Sequence, residues 1–175
     1  MYIKNLKQQG LIDKLGVSIY DTEEMEYIID NLSNSIDIVE LSFNIFDLKW
    51  LKKDLLKKAK LKNIEIAVRS VFLQGLFFTD KLKASKVHNN AYEYIKKLRG
   101  LCEIKETTIE QLALSFIKGN EEIDYILIGC ENEKQLIKNI RNFDKKINFT
   151  KKDKEYICES FGNIEKRIIN PRMWK

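Results

Sequence analysis

The sequence predicts an α/β fold built on four parallel strands, on three observations. The spacing of apolar residues switches repeatedly between strand-like and helix-like periods. Four short apolar runs, at 13–19, 36–43, 64–70 and 123–129, alternate with amphipathic helical segments. Only one proline, Pro171, occurs in 175 residues, so nothing marks a linker and residues 1–175 read as a single domain. Strands separated by helices imply a parallel sheet with right-handed crossovers. Two layouts fit: a small open doubly wound sheet, or part of a (β/α)8 barrel, which in full takes about 250 residues and eight strands.

The elements follow in order. "DKLGVSI" (13–19) reads as a short buried strand. "DTEEMEYIIDNLS" (21–33) follows as a helix, with Asp21 at its N-cap and Glu24 in the capping-box position. "IDIVELSF" (36–43) is the second strand. "LKWLKKDLLKKAKLK" (48–62) reads as one amphipathic helix whose apolar stripe is Trp50, Leu51, Leu55, Leu56 and Ala59. "IEIAVRS" (64–70) is the third strand. Two helices follow the connection 71–88. One covers about 89–101, and the other, 107–119, has Thr107 and Glu110 as a capping box and Gly119 as its C-cap. "IDYILIG" (123–129) is the fourth strand. Asn132 caps the helix 132–143, with Gln135 as its reciprocal partner, and a last helix spans 151–161.

Composition excludes several classes of function. Hydrophobic residues make up 44% and charged residues 33%, which is ordinary for a soluble globular chain. No apolar run approaches the roughly 18 residues that span a bilayer. The opening "MYIKNLKQQG" lacks the apolar core of a signal peptide, so a cytoplasmic protein with no membrane partner is expected. Cys102, Cys130 and Cys158 are odd in number and far apart, as free thiols in a reducing compartment would be. With His88 as the only histidine, no metal site is expected. The net charge of +5 hints at nucleic acid. However, the seven lysines of 48–62 read as the wet face of a helix, and no nucleic-acid-binding motif accompanies them.

"AVRSVFLQGLFF" (67–78) breaks the pattern of a buried strand by ending in Arg69, Ser70, Gln74 and Gly75. Parallel α/β folds bind ligands at the C-terminal ends of their strands. Polar residues and glycines gather there after all four: Gly16, Ser18 and Tyr20; Glu40, Asn44 and Asp47; Arg69 to Gly75; Gly129 to Asn132. Four such ends suggest a shared mouth. Taken one at a time, the same residues have plainer readings. Ser18 is a strand-end hydrogen bonder, Gln74–Gly75 a turn, Cys130 a small buried filler, His88 a surface loop residue, and the phenylalanines at 72, 77 and 78 core or loop anchors. Glu40, between Val39 and Leu41, needs a partner, and Arg69 on the neighbouring strand can supply one.

"KLGVSIYDTEEMEYII", "DIVELSFNIFD", "IAVRSVFLQGLFF" and "IDYILIGCENEKQLIKNI", in this order and spacing, resemble the C-terminal half of an aldo/keto reductase. The closing "INPRMW" is similar to that family's bacterial members. The resemblance runs from about residue 8 to the end. It implies the last four strands of a (β/α)8 barrel that reduces carbonyls with a nicotinamide cofactor, NAD or NADP. It implies that Ser70, Phe72, Leu73, Gln74 and Gly75 form the loop over the cofactor pyrophosphate. Ser18 matches the residue that bonds the nicotinamide amide. Glu40 and Arg69 flank that ring. Gly129, Cys130, Glu131, Gln135 and Asn139 match the segment that holds the adenosine end.

The chain also departs from the family. Glu40 replaces a glutamine, and a carboxylate cannot donate to the carboxamide carbonyl. Arg69 stands where many members have an aromatic ring, and Ile19 replaces an asparagine. Glu131 lies near a position that is basic in NADP-dependent members, which favours NAD. The family's catalytic Tyr, Asp, Lys and His come from the first four strands and have no counterpart here, so no catalytic residue is assigned and the chain alone is expected to be inactive.

Two functions follow from this reading. One is the cofactor-binding half of an oxidoreductase, completed by a missing N-terminal half. The other is a non-catalytic half-barrel remnant or self-associating module, closed by a second copy. An isolated half-barrel leaves two open edges and an inner face expected to expose Val17, Val39, Leu41 and Ile66 or their neighbours.

Overall fold

The computed structural model describes residues 2–174. The chain gathers into two compact units. One comprises Met1–Phe43, Lys49–Arg69 and Glu121–Leu127, the other Asn44–Leu48, Ser70–Asn120 and Ile128–Lys175.

The first unit holds the sheet. Strands β1 (Gly16–Ile19), β2 (Ile38–Ser42), β3 (Glu65–Arg69) and β4 (Tyr125–Ile126) lie in that spatial order, and every neighbouring pair is parallel. All four expected strands form, but β4 is only two residues of the seven-residue run at 123–129. β1 and β4 are the outer strands.

Alternate residues point to opposite faces of a strand. One face carries Ile19, Val39, Leu41, Ile66 and Val68, all buried. The other carries Gly16 and Ser18, Ile38 and Glu40, Glu65, Ala67 and Arg69, and Tyr125. Of the two sets expected on the open face, Val17, Val39, Leu41 and Ile66 or their neighbours, it is the neighbours that lie there. Val39, Leu41 and Ile66 have no exposure, and Val17 is half-buried. A one-residue shift exchanges the two faces of a strand, and the helices cover the aliphatic one.

Helix α1 (Tyr2–Gln8) precedes the sheet, and α2 (Thr22–Tyr27) runs on into a π-helical turn over Ile28–Leu32. The capping box of Asp21 and Glu24 forms as expected, the Glu24 carboxylate accepting from the Tyr20 and Asp21 amides at 2.7 and 3.0 Å. The lysine-rich segment is not one helix. It is a 3-10 stretch, Leu48–Asp54, broken at its end, followed by α3 (Leu55–Leu61). Lys53 and Asp54 sit at φ 57° and 53°, in the left-handed region that ends a right-handed helix. The break tilts the expected stripe: Trp50, Leu55, Leu56 and Ala59 are buried, while Leu51 stays 42% exposed. The Trp50 indole donates to the Ser42 carbonyl at 2.6 Å, which satisfies a polar group carried into the core.

Carboxylates tie the start of one strand to the next. Asp37, just before β2, accepts from the Leu15 amide at 2.7 Å and pairs with Lys7. Asp124, just before β4, accepts from the Ile66 amide at 2.8 Å and pairs with Lys60 at 2.6 Å. Lys14 pairs with Glu65 of β3 at 2.6 Å. The two aspartates thereby satisfy the Leu15 and Ile66 amides near the strand starts.

The second unit is helical: α4 (Lys81–Val87), α5 (Ala91–Ile104), α6 (Ile109–Lys118), α7 (Glu133–Asp144), α8 (Lys151–Phe161) and α9 (Lys166–Ile169), with 3-10 turns at Leu73–Phe78 and Pro171–Met173. Phe46 anchors its core, with ring centroids 4.7 Å from Phe77 and 4.9 Å from Phe161. Thr108, not Thr107, caps α6 and accepts from the Gln111 amide at 3.3 Å, while the Thr107 hydroxyl donates to the Gln111 side chain at 2.8 Å. Gly119 is the C-cap of α6, as expected. Thr150 and Asp153 form a capping box at the start of α8, and Asp153 also pairs with Lys105 at 2.5 Å.

The hydrogen bond from the Leu15 amide, and then Lys7, lowers the Asp37 pKa below that of an ordinary carboxylate. Because the folded pKa is depressed, this stabilisation is fully present above the unfolded pKa and is lost as pH falls through the folded value. Asp37→Ala is expected to cost about 1–2 kcal/mol at neutral pH. The gap between variant and parent should close on acidification, as measured by urea unfolding at pH 7 and pH 3.

Candidate functional site

The strand ends were expected to form a mouth, and within the first unit three of the expected residues meet. The Ser18 hydroxyl donates to Glu40 Oε1 at 3.0 Å. Arg69 Nε donates to the same oxygen at 2.8 Å. Arg69 also donates to the Ile19 carbonyl at 3.4 Å, and its guanidinium lies 4.2 Å from the centroid of the Tyr20 ring. Register explains the cluster. Ser18 pairs with Glu40 across β1 and β2, and Arg69 lies two residues beyond Ala67, the partner of Glu40 in β3. Alternation then puts all three on one face. The expected Glu40–Arg69 ion pair is present. Tyr20, named with Gly16 and Ser18 at the end of the first strand, supplies the aromatic face on which Arg69 rests.

This face opens into a broad concavity of about 540 Å³, lined by Lys14, Ser18, Glu40, Glu65, Tyr125 and Leu127 around a floor of Gly16 and Ala67. The floor is low because its residues are small. A Cβ on Gly16 would come within 2.6 Å of the Ile38 side chain and 3.0 Å of its carbonyl oxygen.

In the second unit, the segment from Ser70 to Gly75 is wound through unusual backbone. Ser70, Leu73, Gln74 and Gly75 have φ of 61°, 46°, 49° and 83°. Phe72, at φ −102° and ψ 14°, precedes the left-handed run. The Leu73 amide closes onto the Ser70 carbonyl at 2.8 Å and the Gly75 amide onto that of Phe72 at 2.9 Å. The Asn44 side chain holds the Ser70 carbonyl at 3.2 Å. Non-glycine residues at positive φ are costly, and such strain persists where surrounding contacts enforce it. Leu73 and Phe77 provide those contacts by being wholly buried, while Gln74 is exposed and open space surrounds Gly75. Phe72 and Phe78 meet edge to face at 5.7 Å, which fits the reading of these rings as anchors.

The segment from Gly129 to Asn139, expected from the resemblance to hold an adenosine end, lies at the start of α7. The Asn132 side chain accepts from the Gln135 amide at 3.0 Å and caps the helix. The Gln135 side chain returns to the Glu131 amide at 2.8 Å, one residue before the cap that it was expected to serve. Asn139 donates to Cys130 Sγ at 3.3 Å. Cys130 is exposed, which corrects its reading as a buried filler. Gly129 and Glu131 are exposed as well. Among the described residues, no group of three or more His, Cys, Asp and Glu side chains could hold a metal ion, and no helix is long and apolar enough to cross a membrane.

Comparison with known proteins bears on these features. A solved aldo-keto reductase from Bacillus halodurans in its holo form is similar to this chain at 16% identity, with a TM-score of 0.74, over 95% of this chain and 57% of that one. Its apo form gives a TM-score of 0.75 at 16% identity, covering 95% and 58% respectively. The chain thus spans less than two thirds of the length of these structures, and the likeness is one of fold. No curated protein matches the sequence.

Cys102 is buried, and its thiol pKa is raised to about 11, mainly by burial and then by Glu110 and Glu103. Cys130 and Cys158 are exposed. Ellman's reagent is therefore expected to titrate two thiols in the native chain and the third only after unfolding. Native reaction of all three would contradict this assignment. The sequence family agrees with the fold: the profile of the aldo/keto reductase family matches residues 1–160, and the chain belongs to that family.

Proposed function

We propose that this chain is the part of an aldo/keto reductase that grips the nicotinamide nucleotide, and that the proton-transfer residues come from an N-terminal portion not present in it. One observation carries the reading: the left-handed winding of the loop from Ser70 to Gly75. The change from near right-handed backbone at Phe72 to left-handed backbone at Leu73 and Gln74 is the dihedral pattern of an anion nest. The Leu73 and Gly75 amides are turned onto the Ser70 and Phe72 carbonyls, so an oxyanion is met by the other amides of the loop or by displacing these two bonds. Gly75 lets a phosphate approach without a side chain in the way. Residues of this kind fit the diphosphate of a dinucleotide.

The segment from Gly129 to Asn139 fits the adenosine end. Asn132 opens a twelve-residue helix whose N-terminal dipole favours negative charge. Glu131 is exposed just ahead of it. A carboxylate there repels a ribose 2′-phosphate and accepts from a free 2′-hydroxyl, which favours NAD over NADP. A nicotinamide, when bound, supplies hydride; this chain supplies binding and orientation. With this reading go a single domain over residues 1–175, a cytoplasmic setting and a bacterial type of enzyme.

A second observation favours a non-catalytic remnant. Ser18 and Arg69 both donate to Glu40 Oε1. The hydroxyl expected to meet the carboxamide is committed to a carboxylate of its own chain. The residues at this end fit the carboxamide poorly, so the dinucleotide would be held chiefly by its phosphates and bind weakly.

Titration separates these readings, and a turnover assay tests the inactivity that both expect. In calorimetric titration, NADH is expected to bind the chain weakly and NADPH more weakly still, and Glu131→Arg should reverse that order. Tighter binding of NADPH by the parent overturns the role of Glu131, and no binding of either favours the remnant. In an assay of NADH oxidation with a panel of aldehydes, the chain is expected to stay at the buffer blank, because no positioned acid serves the carbonyl oxygen. Sustained turnover would show that the chain carries its own catalytic acid.

A further inference from the structure

We propose that Asn44 is the positioning residue of the loop from Ser70 to Gly75: it holds the loop wound before any nucleotide arrives, without itself touching one. By sequence, Asn44 stood among the residues expected to line the mouth at the strand ends. The fold puts it elsewhere, wholly buried. Both ends of its side-chain amide are bonded to backbone. Oδ1 accepts from the Phe46 amide at 3.0 Å, and Nδ2 donates to the Ser70 carbonyl at 3.2 Å. A side chain so enclosed does not reach a ligand, and its influence passes through the carbonyl it holds.

That carbonyl is where the winding begins. Ser70 is at φ 61°, and its oxygen accepts two bonds, from Asn44 and from the Leu73 amide at 2.8 Å. The second bond closes the first turn of the loop, and the Gly75 amide closes the next onto the Phe72 carbonyl at 2.9 Å. Left-handed backbone at Ser70, Leu73 and Gln74 is unfavourable for residues that carry a Cβ. Unwinding at Ser70 swings its carbonyl away, and the bond from Asn44 opposes that rotation at the first left-handed residue.

Asn44 can act in this way because its own turn is fixed. The Asp47 amide closes onto the Asn44 carbonyl at 2.9 Å. The ring of Phe46 is buried, with its centroid 4.7 Å from that of Phe77 and 4.9 Å from that of Phe161. One turn, residues 44–47, therefore holds the segment 70–77 at both ends, Asn44 gripping Ser70 and Phe46 gripping Phe77. Asparagine meets the need by its chemistry. Aspartate would turn a second acceptor on the Ser70 carbonyl, and serine lacks the reach. A loop wound in advance binds an anion more tightly than one that must be wound on binding.

The winding is tested on the free full-length chain, and only the binding arm rests on the reading of the loop as a phosphate grip. The nuclear Overhauser effect between a residue's own amide and Hα is strong at positive φ. It is expected to be strong at Ser70, Leu73 and Gln74 in the parent, and to be lost there in Asn44→Ala. Glu106, at φ 47° in the same unit, should keep its signal. Adding Ser70→Gly, which takes positive φ without a Cβ penalty, should restore the signals of Leu73 and Gln74 in part. A role confined to core packing would not be rescued at Ser70. If Asn44→Ala loses its far-ultraviolet circular dichroism, Asn44→Ser keeps an oxygen for the Phe46 amide and removes the bond to Ser70. In calorimetric titration the folded variant should bind NADH about tenfold more weakly than the parent. Signals retained in the variant overturn the proposal, and so does their loss at Glu106 together with the loop. Unchanged NADH affinity in a variant whose loop has unwound overturns it as well. A parent that binds no NADH, with the expected loss in the variant, overturns the nucleotide reading alone and bears out Asn44 as the residue that winds the loop.

Discussion

A strand sends successive side chains to opposite faces, and most of what distinguishes this chain depends on which set was given to which side. The aliphatic set, Ile19, Val39, Leu41, Ile66 and Val68, is buried. The other set, Ile38 and Tyr125 apart, is small or polar, with Glu40 paired to Arg69 and Glu65 to Lys14. Burial of the aliphatic face drives formation of the sheet. The opposite face is then free to carry Ser18, Glu40 and Arg69 at no cost to the core. Had the register slipped by one residue, carboxylates would face the core and valines the solvent.

Charge is used differently at the two ends of the strands. At the starts, Asp37 and Asp124 each bind a backbone amide of the neighbouring strand and a lysine, so the bonds serve alignment. At the C-terminal ends, Glu40 gathers Ser18 and Arg69, and Arg69 rests on Tyr20. Parallel α/β folds bind ligands at that second end. Here it is already filled by a satisfied polar network, and a ligand must compete with groups that have found partners within the chain. The strained loop at Ser70–Gly75 has the opposite character. Its backbone is held in a costly conformation by buried Leu73 and Phe77, and Gln74 and Gly75 are left open.

The fold class, the four strands and most caps were legible because they rest on local rules. Apolar periodicity marked the strands and helices, and Asp21 with Glu24, and Asn132, act where cap chemistry places them. The pairing of Glu40 with Arg69 was legible because a carboxylate among aliphatic neighbours needs a cation within reach. Errors arose where local signals were ambiguous. Thr107 and Thr108 are adjacent and chemically equivalent as caps, and only backbone geometry selects Thr108. The lysine-rich segment has helical periodicity on both sides of Lys53 and Asp54, and its left-handed break leaves no glycine or proline to announce it.

By itself, the sequence determined the alternation of strand and helix, the family, and the identity of the residues able to bond at the strand ends, because these depend on residue type and spacing along the chain. The tertiary structure alone decided which face of the sheet is buried, since period two is the same for either face until the helices choose a side. It also decided that Ser18 and Arg69 converge on a single oxygen of Glu40, because that follows from the stagger of three strands brought together from distant parts of the chain. Cys130 was exposed for the same reason. Burial is a property of what packs against a residue, and nothing in the neighbouring sequence records it.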